Sequence, residues 1–463
     1  MIGPDDRTDP MTGPAERADR RRVRVVVLNY DGGPDLARCI DALAATDWPG
    51  ELEIVLIDNA STDGSVAPVL AAHPTVRLIQ TATNLGFVAN NLALADLDGV
   101  DYVALVNNDA FVDPGWLTPL VDGLDADAAL GAVQAKILLA GSFAEVEIGA
   151  PTDEPRRFDP RRRGVQVRAV RVDGHEPTRR THLVGGLGPE ADGGRSVEWT
   201  GPEAVLRVPV DGPASSIELC LTATRNKTVT LGRGASAVEV EVGPRACWVA
   251  APVPAATVRV VNNAGTWLTA DGSGADRGWL EVDHGQFDEP TEIFAWSGTA
   301  VLLRPGYLRD VGLFDERLFL YCEDLDLAWR GRTRGWSYRV APAATVDHLH
   351  AASTGETSPV FRFHNERNRL LVLVGNGPAD LARRQVLRHP LVTLSYARRD
   401  VVGRLAARRR PDWSVVRVRL AAEVSFLRLL PGAWRERRQR QARRTEPAPA
   451  VDAWIGRREW PLG

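Results

Sequence analysis

The feature that most constrains this chain is a series of short β-branched runs in its first 110 residues, each followed by helix-compatible sequence and each ending on polar side chains. RVRVVVLNY, from Arg22, reads as a buried strand that delivers Asn29 and Tyr30 to its C-terminal edge. Pro34 to Ala45 places Leu36, Ile40 and Leu43 on one helical face, and Leu52 to Ile57 is a second buried strand ending at Asp58. Asp63-Gly64 breaks the chain, Val66 to Ala72 predicts a helix and Val76 to Ile79 a third strand. After helical sequence from Asn90 to Asp96, Tyr102 to Val106 predicts a fourth strand running into Asn107-Asn108-Asp109. This alternation predicts an α/β fold with a doubly wound sheet, whose ligands bind beyond the carboxyl ends of the strands. Asn29, Asp58 and Asp109 all fall there.

The periodicity changes after Leu139. Residues 143–261 carry short alternating runs such as IELCL from Ile217 and VEVEV from Val238, cut by Gly and Pro, which predicts an all-β insert built as a small sandwich. Helical sequence resumes beyond Trp296. The expected organisation is a disordered leader over residues 1–20, an α/β domain from 21–142 and 262–355 interrupted by the β-rich insert 143–261, and a helical, Arg-rich C-terminal region from 356–463. A length of 463 residues suits two or three such units.

A net charge of −4 argues against a generic polyanion binder, and no nucleic-acid-binding module is recognisable, so nucleic acid is not an expected partner. Cys39, Cys220, Cys247 and Cys322 are widely spaced with no CxxC pair, which fits a reduced compartment. Residues 1–20 contain no apolar stretch of the signal-peptide kind, and no apolar run reaches the roughly 18 residues that span a bilayer. The expected location is the cytoplasm, with the inner face of the cell membrane as the further option. The reason for that option is the stretch from Arg398 to Arg444, where 15 Arg face four acids among Trp413, Leu420, Leu427 and Trp434. It reads either as a peripheral membrane surface or as helices docked on the α/β domain.

Several motifs occur in order: VVVLNYDGG from Val25, IVLIDNASTDGS from Ile54, NLGFVANN from Asn84, YVALVNNDAFVDPGWL from Tyr102, DRGWLEVDHGQFDEP from Asp276, WSGTAVLLRPGYL from Trp296 and GLFDERLFLYCEDLDLAWRGRTRGW from Gly312. Together they resemble family-two glycosyltransferases of the GT-A fold, close to rhamnosyltransferase-like and galactofuranosyltransferase-like members. The resemblance implies an inverting enzyme of cell-envelope polysaccharide synthesis that takes a UDP- or dTDP-sugar, a divalent metal (Mg or Mn) and a glycan or lipid-linked glycan acceptor. It implies donor contacts at Asn29, Tyr30, Asp58, Asn84, Gly86, Phe87 and Asn108, and a general base at Asp324 beside Glu323. Asn107-Asn108-Asp109 is similar to the family's Asp-X-Asp motif with Asn at the first position, leaving Asp109 to bring the charge a hard cation prefers. His348 matches the family's metal-site histidine. Trp296 and Gly298 are the acceptor candidates, because an indole face packs on a sugar ring and glycine permits close approach.

Structural readings compete at each place. Asp58 and Asp109 lie in sequence that also makes turns, Glu323-Asp324 would be stabilised at any helix start, and a Trp is as readily core. The rival functions are a nucleotidyltransferase, for which YDGG is a meagre phosphate loop, and a catalytically silent glycan-binding scaffold, against which Asp58, Asp109 and Asp324 together speak.

Overall fold

The computed structural model describes residues 21–155, 157–192, 195–350 and 358–457; the expected leader 1–20 and the Ala351 to Gly355 segment after His350 lie outside the described residues. The main sheet begins with β1 (Arg22–Asn29), α1 (Gly33–Ala44), β2 (Glu51–Asp58), α2 (Val66–Ala72), β3 (Arg77–Gln80) and β4 (Tyr102–Asn107). These four strands lie side by side in the order β4-β1-β2-β3, all parallel. Val23, Val25, Val26 and Val27 are fully buried on β1, because helices cover both faces of the sheet. Leu36, Ile40 and Leu43 seal one face from α1, at helical spacing.

Beyond β4 the sheet is mixed rather than uniformly parallel. The chain continues through β5 (Ala110–Val112), α3 (Leu117–Ala126) and β6 (Leu130–Leu139). After the insert come β7 (Val261–Asn263), β8 (Thr266–Leu268), β9 (Gly274–Asp276), β10 (Thr291–Glu292), β11 (Ala300–Leu303), α4 (Glu323–Arg332) and β12 (Ser337–His348). The sheet runs β10-β12-β6-β11-β4-β1-β2-β3, with β11 antiparallel to both β4 and β6. A four-residue apolar run reads the same in either direction, so its orientation is decided by where the chain returns from the insert.

The insert is one eight-stranded antiparallel sheet between Ser142 and Ala251. Every strand on its main path contributes to a single core that includes Ile148, Val170, Val208, Leu219, Val229 and Val242, and Leu183 of the His182–Asp192 side strand packs against it. The expected sandwich of two sheets is therefore corrected to one sheet, which must curl to bury one face against itself. Its ends meet: Phe143 N donates to Val258 O (2.9 Å) and Val258 N returns the bond to Phe143 O (2.8 Å).

Three further helices close the other face of the main sheet: α5 (Pro359–Asn376), α6 (Ala379–Tyr396) and α7 (Ser414–Ala442). Ser358 caps α5, its Oγ accepting from Phe361 N at 3.0 Å, with Pro359 at the first helical position. Leu370, Leu373, Leu381 and Phe426 share one core with Trp296, Phe294 and Trp329, so these helices complete the α/β domain. Asp326 of α4 is buried in the joint, accepting from Arg330 Nε (2.8 Å), Arg440 Nη1 (2.9 Å) and Asn376 Nδ2 (2.8 Å). Burial would raise its pKa, but the charges of Arg440 and Arg330 hold it well below the carboxylate range.

Candidate active site

Asn29, Asp58 and Asn107 end adjacent strands at one level, because β1 pairs in parallel with both neighbours and sets Asn29 opposite Asp58 and Leu28 opposite Asn107. Asn29 is fully buried. Its amide donates to Ser61 Oγ (3.0 Å) and Ser65 Oγ (3.2 Å), and its carbonyl accepts from Asn108 Nδ2 (2.8 Å). Both ends of Asn29 are spent inside the protein, so it shapes the edge instead of presenting a donor contact, while Asn108 keeps its carbonyl oxygen. A Cβ at Gly32 would meet Asn29 Oδ1 at 2.3 Å and Asn108 Nδ2 at 2.5 Å, which is why the turn after β1 takes glycine there. Tyr30 stands 43% exposed at the rim.

Asp58 opens on a cavity of about 270 Å³ with apolar walls from Val66, Leu70 and Leu78. Its carboxylate accepts from Ser61 N (2.9 Å) and Gln80 Nε2 (3.2 Å), which leaves lone pairs for a ligand. The next residue, Asn59, is buried and organises the adjoining loop: Nδ2 donates to Asn84 Oδ1 (2.9 Å) and Gly86 O (3.2 Å), and Oδ1 accepts from Leu85 N (2.9 Å). Gly86 has φ +74°, and a Cβ there would lie 2.1 Å from Phe319 O. Phe87 N donates to that same carbonyl at 2.7 Å. Asn84, Gly86 and Phe87 thus tie the loop beyond β3 to the segment that precedes α4. A larger cavity, about 440 Å³, is lined wholly by insert residues, including Arg168, Glu176 and Leu183.

Asp109 and His348 come together from elements 239 residues apart, with Oδ1 and Nε2 separated by 3.1 Å. They meet because β5 pairs antiparallel with the end of β12, setting Ala110 opposite His348. His348 Nδ1 lies 2.8 Å from Asn262 Oδ1 on β7. An amide oxygen can only accept, so Nδ1 carries a proton and Nε2 is the nitrogen turned toward Asp109. Burial would raise the Asp109 pKa, but the charge and hydrogen bond of His348 hold it below its usual value. A carboxylate oxygen and an imidazole lone pair this close need a proton or a cation between them. Two adjacent ligands each about 2.1 Å from an octahedral ion lie about 3 Å apart, so this pair fits a Mg or Mn site. Among the described residues no group of three or more His, Cys, Asp or Glu is gathered for a metal, so the remaining ligands would come from water and phosphate oxygens. The His350 ring packs at a tilt against Trp279, with 4.7 Å between ring centroids and 59° between planes, beside His348.

Asp324 sits in the first turn of α4. Its Oδ2 accepts from Gly298 N (3.3 Å) and Oδ1 from Leu325 N (2.7 Å). Burial raises its pKa against these two N–H groups. Glu323 is buried, with Oε2 lacking a hydrogen-bond partner, and burial followed by the Asp324 charge pushes it well above the carboxylate range. Gly298 is needed twice: its N–H holds Asp324, and a Cβ would meet the Phe87 ring at 2.6 Å. Trp296 is fully buried and packs edge-on to Phe314, so its face belongs to the core and the expected sugar platform is corrected.

Asp276, at the end of β9, carries no role in the sequence reading. Burial and the negative charge of Asp324 push its pKa up to about 6, opposed by a hydrogen bond from Asn263 Nδ2 (2.7 Å) and the charge of His348. It therefore feels both the Asp324 centre and the His348 centre. Asn263 Oδ1 accepts from Gln134 Nε2 (2.8 Å), and Gln134 Oε1 accepts from Ser297 N (2.7 Å), next to Gly298. Asn262 and Asn263 orient His348 and Asp276 respectively. The signal that could have found them is VRVVNN from Val258, an apolar run ending in a polar doublet as VALVNND does after β4.

With this geometry in place, the comparisons with known proteins fall on the same segment. Residues 24–162 match the family model of glycosyl transferase family 2, and the matched segment is a family-two glycosyltransferase domain of GT-A fold. The match covers β1 through β6 and the start of the insert; α4 and β12 lie beyond it. Over 343 residues the chain is 26% identical to N-acetylglucosaminyl-diphospho-decaprenol L-rhamnosyltransferase of Mycobacterium tuberculosis, covering 72% of this chain and 77% of the relative. Among solved structures it resembles GalNAc-T7 with UDP, GalNAc and Mn2+ (12% identity, TM-score 0.39), covering 77% of this chain and 48% of that one. It also resembles mannosyltransferase PcManGT from Pyrobaculum calidifontis in complex with GDP-Man and Mn2+ (14% identity, TM-score 0.36), covering 94% of this chain and 79% of that one. At these TM-scores the two likenesses carry no weight for function.

Proposed function

We propose that this protein is an inverting, metal-dependent glycosyltransferase that moves a sugar from a UDP- or dTDP-sugar to a hydroxyl of a glycan or lipid-linked glycan in cell-envelope polysaccharide synthesis. The observation that carries this reading is the division of labour along one sheet edge: Asp109 with His348, and Asp324 on a separate element held by the Gly298 N–H. The mycobacterial relative supports rhamnose as the sugar and a lipid-linked N-acetylglucosamine as the acceptor. Such an acceptor would bring the enzyme to the cytoplasmic face of a membrane.

Asp58 receives the base or ribose at its apolar-walled cavity, and the Asn84 to Phe87 loop covers the donor. Asp109 and His348 would hold a divalent cation, which when bound supplies positive charge to the diphosphate leaving group. Asp324 takes the proton of the acceptor hydroxyl as its oxygen attacks the anomeric carbon from the face opposite the diphosphate, and a single in-line displacement of this kind inverts the configuration. The raised pKa of Asp324 suits a base that must be ionised near neutral pH yet hold a proton well. Asp324→Asn keeps the shape and removes the basic lone pair, so we expect transfer to fall about 100-fold or more with donor affinity retained. Asp109→Ala and His348→Ala should each abolish metal-dependent release of nucleotide from the donor while leaving the fold intact. Full transfer in Asp324→Asn, or wild-type turnover of both metal-site variants in chelator, would overturn the reading.

A further inference from the structure

Seventeen large apolar side chains are exposed among the described residues, and ten of them lie between Leu387 and Trp434. On α6, beyond its first turn, their placement inverts the usual polarity of a surface helix. On α6, Gln385, His389 and Thr393 face inward, where His389 Nδ1 lies 2.8 Å from Glu423 and Nε2 lies 3.1 Å from Glu366, while Leu387, Leu391 and Leu394 stand about two-thirds exposed one and two turns apart. On α7, Val416, Phe426 and Ala433 pack inward. Leu420, Val424, Leu427 and Trp434 recur at i, i+4, i+7 and i+14 on the opposite, exposed face. A helix that already buries one apolar face gains nothing in water from a second one.

The charges point the same way. All twelve exposed ionisable residues between 383 and 438 are arginines. The acids of this stretch are turned inward or bound: Asp400 to Arg399, Asp412 to Ser414, Glu423 to His389 and Glu436 to Arg317. No helix among the described residues is long and apolar enough to cross a membrane.

We propose that the outer faces of α6 and α7, which pack together on α5, form a docking surface for an anionic lipid bilayer. The leucines and the exposed Trp413 and Trp434 of this surface enter the headgroup boundary, and Arg417, Arg428, Arg435 and Arg438 on α7 meet lipid phosphates. Neither an RNA nor a folded acidic partner accounts for outward leucines above an inward histidine. This inference stands on the helix surface alone and does not depend on the catalytic reading.

The test is co-sedimentation of the full-length protein with vesicles of phosphatidylcholine, with and without phosphatidylglycerol. We expect partitioning to the anionic vesicles at least about tenfold stronger than to neutral ones, falling as salt rises. Leu391→Glu combined with Leu427→Glu should lower it at least about tenfold, and Arg417→Gln combined with Arg428→Gln should erase the preference for phosphatidylglycerol. All four side chains are exposed, so Tm should match wild type in both variants. Absence of partitioning to either vesicle, or wild-type partitioning in the leucine pair, would overturn the proposal. So would RNA binding that only the arginine pair abolishes, or self-association that the leucine pair abolishes, if either occurs without vesicle binding.

Discussion

At the scale of single residues, the proposed role of Asp324 as base carries a pH dependence, because burial raises its pKa and Asp276 adds a second carboxyl close by. Burial and the charge of ionised Asp324 together raise Asp276 to about 6, and because a repulsion between two like charges acts on both, an ionised Asp276 adds to the burial that raises Asp324. A base works only when deprotonated, so transfer should rise with pH through a limb lying above the ordinary carboxylate range of about 4. Asp276→Asn removes one negative charge from the pair, lowers the Asp324 pKa and should move that limb to lower pH; the measurement is kcat/KM for transfer against pH. An unmoved limb would show that Asp276 does not face the base. Hydrogen bonding through Asn263 and Gln134 to Ser297 gives the same residue a second role, fixing the turn whose next N–H holds Asp324.

At the scale of elements, the segment entering α4 is strained and is held from outside. Phe319, Tyr321 and Cys322 have φ of +63°, +70° and +66°, each costing on the order of 1–3 kcal/mol for a residue with a side chain. Asn368 on α5 offsets this: its one amide group lies 2.8 Å from each of Leu318 O, Leu320 O and Tyr321 O, and Arg367 adds bonds to Arg317 O and Leu318 O. From the other side, Phe87 N holds Phe319 O, so the Asn84 to Phe87 loop is tied to the segment entering α4 through one carbonyl. Asn368→Ala takes the side-chain donor from Leu320 O and Tyr321 O, while Leu318 O keeps Arg367, and we expect it to cost about 1–3 kcal/mol by denaturant unfolding. It should also lower kcat more than it weakens donor binding. Loss of stability with kcat intact would confine Asn368 to a packing role.

At the scale of the whole molecule, two cores behave differently. The insert has its own core, and its two ends are joined by the Phe143 and Val258 hydrogen bonds, so the host sheet is already closed beneath it. Replacing approximately residues 146 to 258 by a short flexible linker should leave a folded protein that still binds donor, checked by thermal unfolding and nucleotide-sugar titration. The contact to watch is Phe158, which lies under Gly403 and Arg398 at the end of α6. Failure to fold would show that the segment completes the catalytic core. No such excision is expected to work for α5 to α7, since Leu370, Leu373 and Phe426 share the core of Trp296 and Trp329.

Local pattern alone determined the parallel quartet of strands and the helix α1, because buried parallel strands are continuous β-branched runs and an amphipathic helix repeats every three to four residues. It also determined the polar ends of those strands, where Asp58 and Asp109 lie, since a parallel sheet carries its loops at its carboxyl edge. Three things were decided only by tertiary structure. The direction of β11 depends on the route of the chain around the insert. The fates of Asn29 and Trp296 depend on neighbours more than 30 residues away, Ser61, Asn108 and the core of the C-terminal helices among them. The convergence of Asp109 with His348, and of Asp276 with Asp324, joins residues whose separation in sequence leaves no periodic trace. Solvent exposure of Leu387 to Leu394 belongs here too: a leucine repeat at helical spacing reads as core until the opposite face of the helix proves to be the buried one.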